Sequence, residues 1–281
     1  MAKIKVTCDS TCDLTEELYQ TNNVEVIPLS VTLGDKVYRD GVDIFSQQVF
    51  DYVAETGTLP KTSAISVGEY LDAWQKYVQD GYDVIHVNIS SDLSTSYQNA
   101  CVAAKELGHV YVVDSRNLSS GSGHLVLEAA RMIREGMEAP AIKANLDEQK
   151  EHLDVSFVLQ TLEYLQKGGR CSSVTALGAR ALQLRPEIRV HNGGMVVGKK
   201  YRGNMEKSIL AYIRGHLENR TDVDTSRIFI THSSVPDDIV EKVKKLVLEL
   251  YPFKEVIVTR AGCTISSHCG PNCLGVLFFT K

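Results

Sequence analysis

Short apolar runs rich in β-branched residues alternate with stretches whose apolar positions recur every three or four residues, from one end of the chain to the other. That alternation predicts βα units around a mostly parallel sheet. Early in the chain "IKVTCDS" (Ile4–Ser10) reads as a strand, and "DLTEELYQTN" as a helix opened by Asp13 with Glu16 three residues on, a capping box. "VEVIPLSVTL" (Val24–Leu33) reads as one further strand and "GDKVYRDG" as a turn or hairpin. In "SVGEYLDAWQKYVQDG" the residues Tyr70, Leu71, Trp74, Tyr77 and Val78 make one helical face, which Gly81 closes. "YDVIHVNIS" and "HVYVVDS" are strands separated by the helix "SYQNACVAAKELG". The order is that of a doubly wound, Rossmann-like sheet, in which ligands sit beyond the carboxyl ends of strands.

The alternation continues through "SGSGHLVLEAARMIREG", "DVSFVLQTLEYLQKGGR", "MVVGKKYRG", a long helix from about Met205, "RIFITHSS", "DDIVEKVKKLVLELYP", "KEVIVTRAG" and "GVLFFTK". At 281 residues two domains are expected, an N-terminal α/β domain over 1–158 and a second α/β domain over 159–281. With no Ser/Pro-rich linker between Val155 and Leu165, the two should share a tight interface.

Composition narrows the function classes. A net charge of -5 supplies no field to gather phosphate backbones, which argues against nucleic acid as a partner. No window approaches 18 uninterrupted apolar residues and the start runs straight into a strand, so a cytoplasmic protein without membrane insertion is expected. Seven cysteines without a pairing ladder read as reduced thiols.

Candidate chemistry clusters in a few short stretches. "SSDLSTSYQNA" (Ser90–Ala100) follows a buried-type strand and carries Ser90, Ser91, Ser94, Thr95 and Ser96 just before a helix. Capping needs one such hydroxyl; the surplus suits an anion. A second group, Thr62, Ser63 and Ser66 in "LPKTSAIS", is either a companion to it or an ordinary ST-turn. In "SSHCGPNCLG" (Ser266–Gly275), His268, Cys269 and Cys273 lack the fourth ligand and paired spacing of a zinc site, so no metal is assigned and His268 either faces a bound group from a glycine-shaped loop or caps a helix. Arg170 in "YLQKGGR" can hold a carboxylate or phosphate bidentately, or pair with a buried acid. Asp9, Ser10 and Asp13 are a thin basis for catalysis, and no Walker, nucleophile-elbow or H-E-x-x-H pattern is present. The basic stretch "KKYRGNMEK" (Lys199–Lys207) is either a solvated hairpin or one partner contact.

Taken together and in order, "CDSTCDL", "LPKTSAIS", "SSDLSTSYQNA", "VYVVDSRNLSSGSG", "LEYLQKGGR" and "SHCGPNCLG" resemble the DegV family over nearly the full length. The resemblance implies a doubly wound N-terminal domain, a second α/β domain with a mixed sheet, and a long-chain fatty acid between them. It further implies that the protein is itself non-catalytic, needs no cofactor, and presents the ligand to an ATP-binding kinase subunit for acyl-phosphate formation. By position it assigns carboxylate binding to Thr62, Ser94 and His268, places Arg170, Ser63 and Thr95 near the head group, and makes Arg202 the partner contact. In that reading His268 and Arg170 offset charge growing at the head group. The sequence departs from the family at Ala64, Ile65, Thr95 and Asn272, which puts head-group geometry at issue. Two alternatives stand beside it: a hydrolase or acyltransferase using Ser94 with His268, and a lipid-binding regulator without a kinase partner.

Overall fold

The computed structural model describes residues 3–172 and 184–281. Its first unit runs β1 (Lys3–Asp9), α1 (Glu16–Thr21), β2 (Val24–Ile27), β3 (Ser30–Leu33), β4 (Lys36–Arg39), α2 (Ser46–Thr56), β5 (Lys61–Ser63), α3 (Val67–Gln79), β6 (Tyr82–Asn88), α4 (Ser96–Leu107), β7 (Val110–Asp114), α5 (Ser120–Arg134) and α6 (Ala139–Gln149). Four of the strands form a parallel sheet in the order β2-β1-β6-β7. The chain leaves β1 toward β2 and returns on the other side to β6, so the topological switch point lies between the ends of β1 and β6.

Asp9 closes that point. Its Oδ2 accepts from the Ile89 N–H at 2.7 Å and its Oδ1 from the Thr11 N–H and hydroxyl at 3.0 and 2.5 Å. The carboxylate weighed as a thin basis for catalysis is therefore fully occupied as a staple between two strand ends. Behind it Tyr70 and Trp74 stack at 4.7 Å, both fully buried, and each has a polar partner: Asn88 Nδ2 donates to Tyr70 Oη at 2.7 Å and Trp74 Nε1 to Thr7 Oγ1 at 3.2 Å. The helical face expected over α3 is the one that packs on the sheet.

The remaining strands of this unit make a small antiparallel sheet, β4-β3-β5. The apolar run Val24–Leu33 thus yields two strands in different sheets. Pro28 divides them, having no N–H to continue a ladder.

The second unit follows as β8 (Leu153–Val158), α7 (Glu163–Gly168), β9 (Arg185–His191), β10 (Gly194–Tyr201), α8 (Met205–Leu217), β11 (Val223–Ser233), α9 (Asp237–Leu250), β12 (Glu255–Arg260), α10 (Cys263–Cys269) and β13 (Cys273–Thr280). Its six-stranded sheet, β10-β9-β8-β13-β11-β12, is mixed: only β11 and β12 pair in parallel. β8 pairs with β13, so this sheet begins at Leu153 rather than after residue 158. No pattern announced α6 or β9; the latter carries Pro186 and charged residues at alternate positions.

One core joins the units. Val155, Phe229 and Leu277 of the mixed sheet share a buried cluster with Val6, Ile85 and Leu125 of the first unit. Helix α5 lies in this seam; a side chain at Gly123 would meet the Cys12 carbonyl and Leu14, so only glycine lets the helix approach this closely. The helix α1 begins differently from expectation. Thr15, not Asp13, is its N-cap, with Thr15 Oγ1 accepting from the Leu18 N–H at 3.3 Å. Asp13 stands in the left-handed region at φ 49° and points into the seam.

Candidate functional site

A cavity of about 280 Å³ opens where the carboxyl ends of the parallel sheet, the small sheet, α7 and α10 meet. Thr62, Ser63, Ser94, Thr95, Arg170 and His268 all line it, so residues more than two hundred positions apart converge as the motifs suggested. Its apolar wall includes Leu29, Ile89, Leu93, Leu118, Met195 and Ile265. Ser91 of the same hydroxyl stretch lines the cavity too, and Asp92 and Thr264 add polar atoms that motif reasoning had not singled out.

The two hydroxyl loops are one structure. Ser94 Oγ lies 2.9 Å from Ser96 Oγ and accepts from the Ser96 N–H at 3.1 Å, which opens α4. Ser96 Oγ in turn accepts from the Ile65 N–H at 3.3 Å, and Asn99 Nδ2 donates to the Ile65 carbonyl at 2.7 Å. The departure at Ile65 is accommodated by burial: its side chain joins the core cluster of Tyr70 and Trp74 and turns away from the cavity. Thr95, exposed at the N-cap of α4, makes no capping bond with its side chain and lines the rim. Asn272 sits at φ 55°, a left-handed conformation that asparagine tolerates far better than most residues. Ser90 has another task, because its fully buried hydroxyl donates to the Gly193 carbonyl at 2.7 Å and ties the loop to the β9–β10 turn.

His268 lies in the last turn of α10, not on a loop, and its Nε2 is 2.9 Å from Thr62 Oγ1. The contact spans the two units. His268 Nδ1 is buried without a hydrogen-bond partner among the described residues. An orphaned N–H is costlier than an orphaned lone pair, so the proton belongs on Nε2, donating to Thr62 and leaving the threonine O–H free for a ligand. Burial, and secondarily the charge of Arg170, push His268 down to about 4. The imidazole is therefore a neutral donor at pH 7, and the cationic charge at the rim comes from Arg170. That arginine is exposed, with Nη1 donating to the Gly168 carbonyl at 2.6 Å, and it makes no ion pair with an acid among the described residues.

These partners bear on the hydrolase alternative. Ser94 bonds Ser96 and His268 bonds Thr62, and no carboxylate orients His268 among the described residues. A nucleophile activated by a base is not what the arrangement offers. Nor do His268, Cys269 and Cys273 form a metal-ligating group; none occurs among the described residues. Among the described residues no helix is long and apolar enough to cross a membrane. Arg202 stands apart, exposed in the turn between β10 and α8.

Beyond the cavity lies a second, almost wholly apolar void of about 20 Å³ in the seam, bordered by Phe157, Ala261, Cys273 and Leu277. Leu118, Ile265 and Cys269 border both spaces and form the neck between them.

A family model described as "Uncharacterised protein, DegV family" matches residues 3–281. A DegV domain-containing protein of Clostridium acetobutylicum is 33% identical over 285 residues, covering 100% of both chains. Among solved structures, a DegV family protein from Thermus thermophilus described as binding fatty acid superposes with a TM-score of 0.89 at 31% identity, covering 99% of this chain and 100% of that one. A stearic-acid-binding protein from Eubacterium ventriosum gives 0.88 at 26% identity, covering 99% and 98%. With the fold, the motif order and the full-length match in agreement, the chain belongs to the DegV family.

Proposed function

We propose that this protein binds a long-chain fatty acid, with the carboxylate at Thr62, Ser94 and His268 and the acyl tail passing the neck into the seam. The observation that carries the reading is the 2.9 Å Thr62–His268 contact beside Ser94 in a cavity that joins this polar cluster to an apolar wall. A buried carboxylate without donors is very costly, and this rim supplies two hydroxyls and a neutral imidazole behind one of them. The fatty-acid and stearic-acid binding of its structural relatives supports the same ligand class. About fifteen buried methylenes contribute roughly 12 kcal/mol of gross transfer energy, less the cost of ordering and association. The seam void holds little more than a single water, so a full-length tail requires the neck side chains to turn aside.

The finer reading is that the bound acid is presented to a separate ATP-dependent kinase. The head group faces the open side, where Arg170 is placed to receive the charge of a transferred phosphate, and Arg202 offers a contact away from the cavity. In this scheme Thr62, Ser94 and His268 hold and orient the acid while the partner supplies the phosphoryl group.

Native mass spectrometry of the purified chain, followed by extraction of anything released, tests the binding. A stoichiometric fatty acid is expected, and Ser94→Ala or Thr62→Val should lower its occupancy about tenfold or more for each lost charge-assisted bond. A chain that neither carries nor takes up fatty acid would overturn the reading. The kinase step is tested separately, by phosphorylation of the bound acid with an added ATP-binding subunit.

A further inference from the structure

Two buried carboxylates from the first unit grip the start of α10, the helix that brings Thr264, Ile265 and His268 to the cavity. Asp40 accepts from the backbone N–H of Cys263 at 2.8 Å, from that of Thr264 at 2.9 Å and from the Ser10 hydroxyl at 3.1 Å. Asp13 accepts from the Gly262 N–H at 2.8 Å and from the Ser119 hydroxyl at 2.5 Å. Only 2% of Asp40 and 5% of Asp13 is exposed. A Cβ added to Gly262 would stand 3.1 Å from Asp13 Oδ1 and 3.3 Å from Asp40 Oδ1, so both oxygens converge on one backbone position.

The connection to the head-group site runs through the small sheet. Asp40 follows β4, β4 pairs with β3, and β3 pairs with β5, which carries Thr62. One rigid element therefore holds the first turn of α10 through Asp40 and meets its last turn through Thr62 and His268. Two attachments at opposite ends of a seven-residue helix set its direction as well as its place.

We propose that Asp40 and Asp13 are positioning residues of the carboxylate site, fixing α10 so that His268 Nε2 meets Thr62 Oγ1. The proposal rests on the carboxylate-binding reading given above. The two acids differ in their chemistry. Each oxygen of Asp40 receives a backbone N–H, Oδ1 from Cys263 and Oδ2 from Thr264, so both must accept, and an amide would turn an N–H against a backbone N–H. Asp13 faces one backbone donor and one hydroxyl that can rotate, an environment an asparagine satisfies by accepting from Gly262 and donating to Ser119. Desolvation, and then the nearby charges of Asp40 and Asp9, push Asp13 well up, in keeping with a site that tolerates its neutral form.

The test compares binding of hexadecanoic acid and of hexadecanol to the full chain at a temperature well below unfolding. Wild type should prefer the acid. Asp40→Asn and Asp13→Ala should each cut acid affinity about tenfold while changing alcohol affinity less than about twofold, and Asp13→Asn should restore most of what Asp13→Ala loses. A purely structural role would weaken both ligands together, which would overturn the proposal, as would an unchanged acid preference in Asp40→Asn or no recovery in Asp13→Asn. Should Asp40→Asn fail to fold, Ser10→Ala removes one donor to Asp40. An acid-selective loss of about threefold then supports the role, and an unchanged preference overturns it. A wild type that does not distinguish acid from alcohol would instead overturn the carboxylate reading, and the positioning role with it.

Discussion

The imidazole of His268 occupies the space that a side chain at Gly168 would fill: a Cβ there would overlap His268 Nδ1. Gly168 ends α7 with ordinary helical geometry, whereas its neighbour Gly169 takes the left-handed turn at φ 71°. Alanine at 168 is thus acceptable to the backbone, and its penalty falls on His268. Gly168→Ala should break the bond to Thr62 and lower fatty-acid affinity about tenfold, with a loss of roughly 1–3 kcal/mol in stability. A double-mutant cycle with His268→Ala checks the cause: the second substitution should add little to the first.

Acid should weaken the fold in a defined window. Burial pushes His268 down to about 4 and both His86 and His124 down to about 3, from 6.5. A base that binds its proton less readily when folded leaves the unfolded chain with more protons between those values, so stability is full above about 6.5 and falls as pH drops toward 4. For His268 the span corresponds to about 3 kcal/mol. Thermal melts of wild type and His268→Gln from pH 7 to 4 should show a shallower decline in the variant, the remaining slope belonging to the other buried groups, His86, His124 and His232 among them.

The neck should govern acyl length. Leu118 is 4% exposed and borders both the open cavity and the seam void. Leu118→Ala widens the passage and should shift the captured acids toward longer chains in a competition read by mass spectrometry; Leu118→Phe should shift them toward shorter ones. An unchanged distribution in both would place the selecting contact elsewhere.

Behind the mixed sheet, Glu187 is fully buried and holds three groups at once. It accepts from Arg189 Nε at 2.8 Å and from the Lys199 N–H at 3.0 Å, and lies 3.1 Å from His216 Nδ1. Side-chain hydrogen bonds from His216 and Arg189 outweigh desolvation and hold its carboxyl at about 2. Removing Glu187 takes one of its two carboxylate partners from buried His216 and strips the Lys199 N–H of its acceptor, so Glu187→Ala should cost about 3 kcal/mol in denaturant unfolding. The β9–β10 hairpin that leads to Arg202 should loosen with it, which hydrogen exchange along that hairpin would report.

Much of the architecture was legible because burial imposes periodicity. β7 and β13 are near-continuous apolar runs, β1 and β6 carry apolar residues interrupted by single polar ones, and α3 shows its buried face at three- and four-residue spacing, so their existence followed from local pattern alone. What misled was local chemistry with two uses. Asp13 three residues before Glu16 has the form of a capping box, yet Thr15 caps α1 and Asp13 serves α10, some 250 positions away. Ser90 has the appearance of an anion donor but is spent on Gly193. Pro28 divides one apolar run between two sheets.

The sequence by itself determined most of the alternation of strands and helices, the presence of an α/β fold in two units, and the hydroxyl, histidine and arginine positions that carry the family resemblance. These rest on periodicity and on short motifs, which are local. The tertiary structure alone decided that Thr62 meets His268 across the seam, that the two hydroxyl loops are joined through Ile65 and Ser96, and that two distant aspartates hold one short helix. Each is a hydrogen bond between segments far apart in the chain. Its partners are chosen by which buried donors and acceptors the packed core brings together, and no local pattern encodes that.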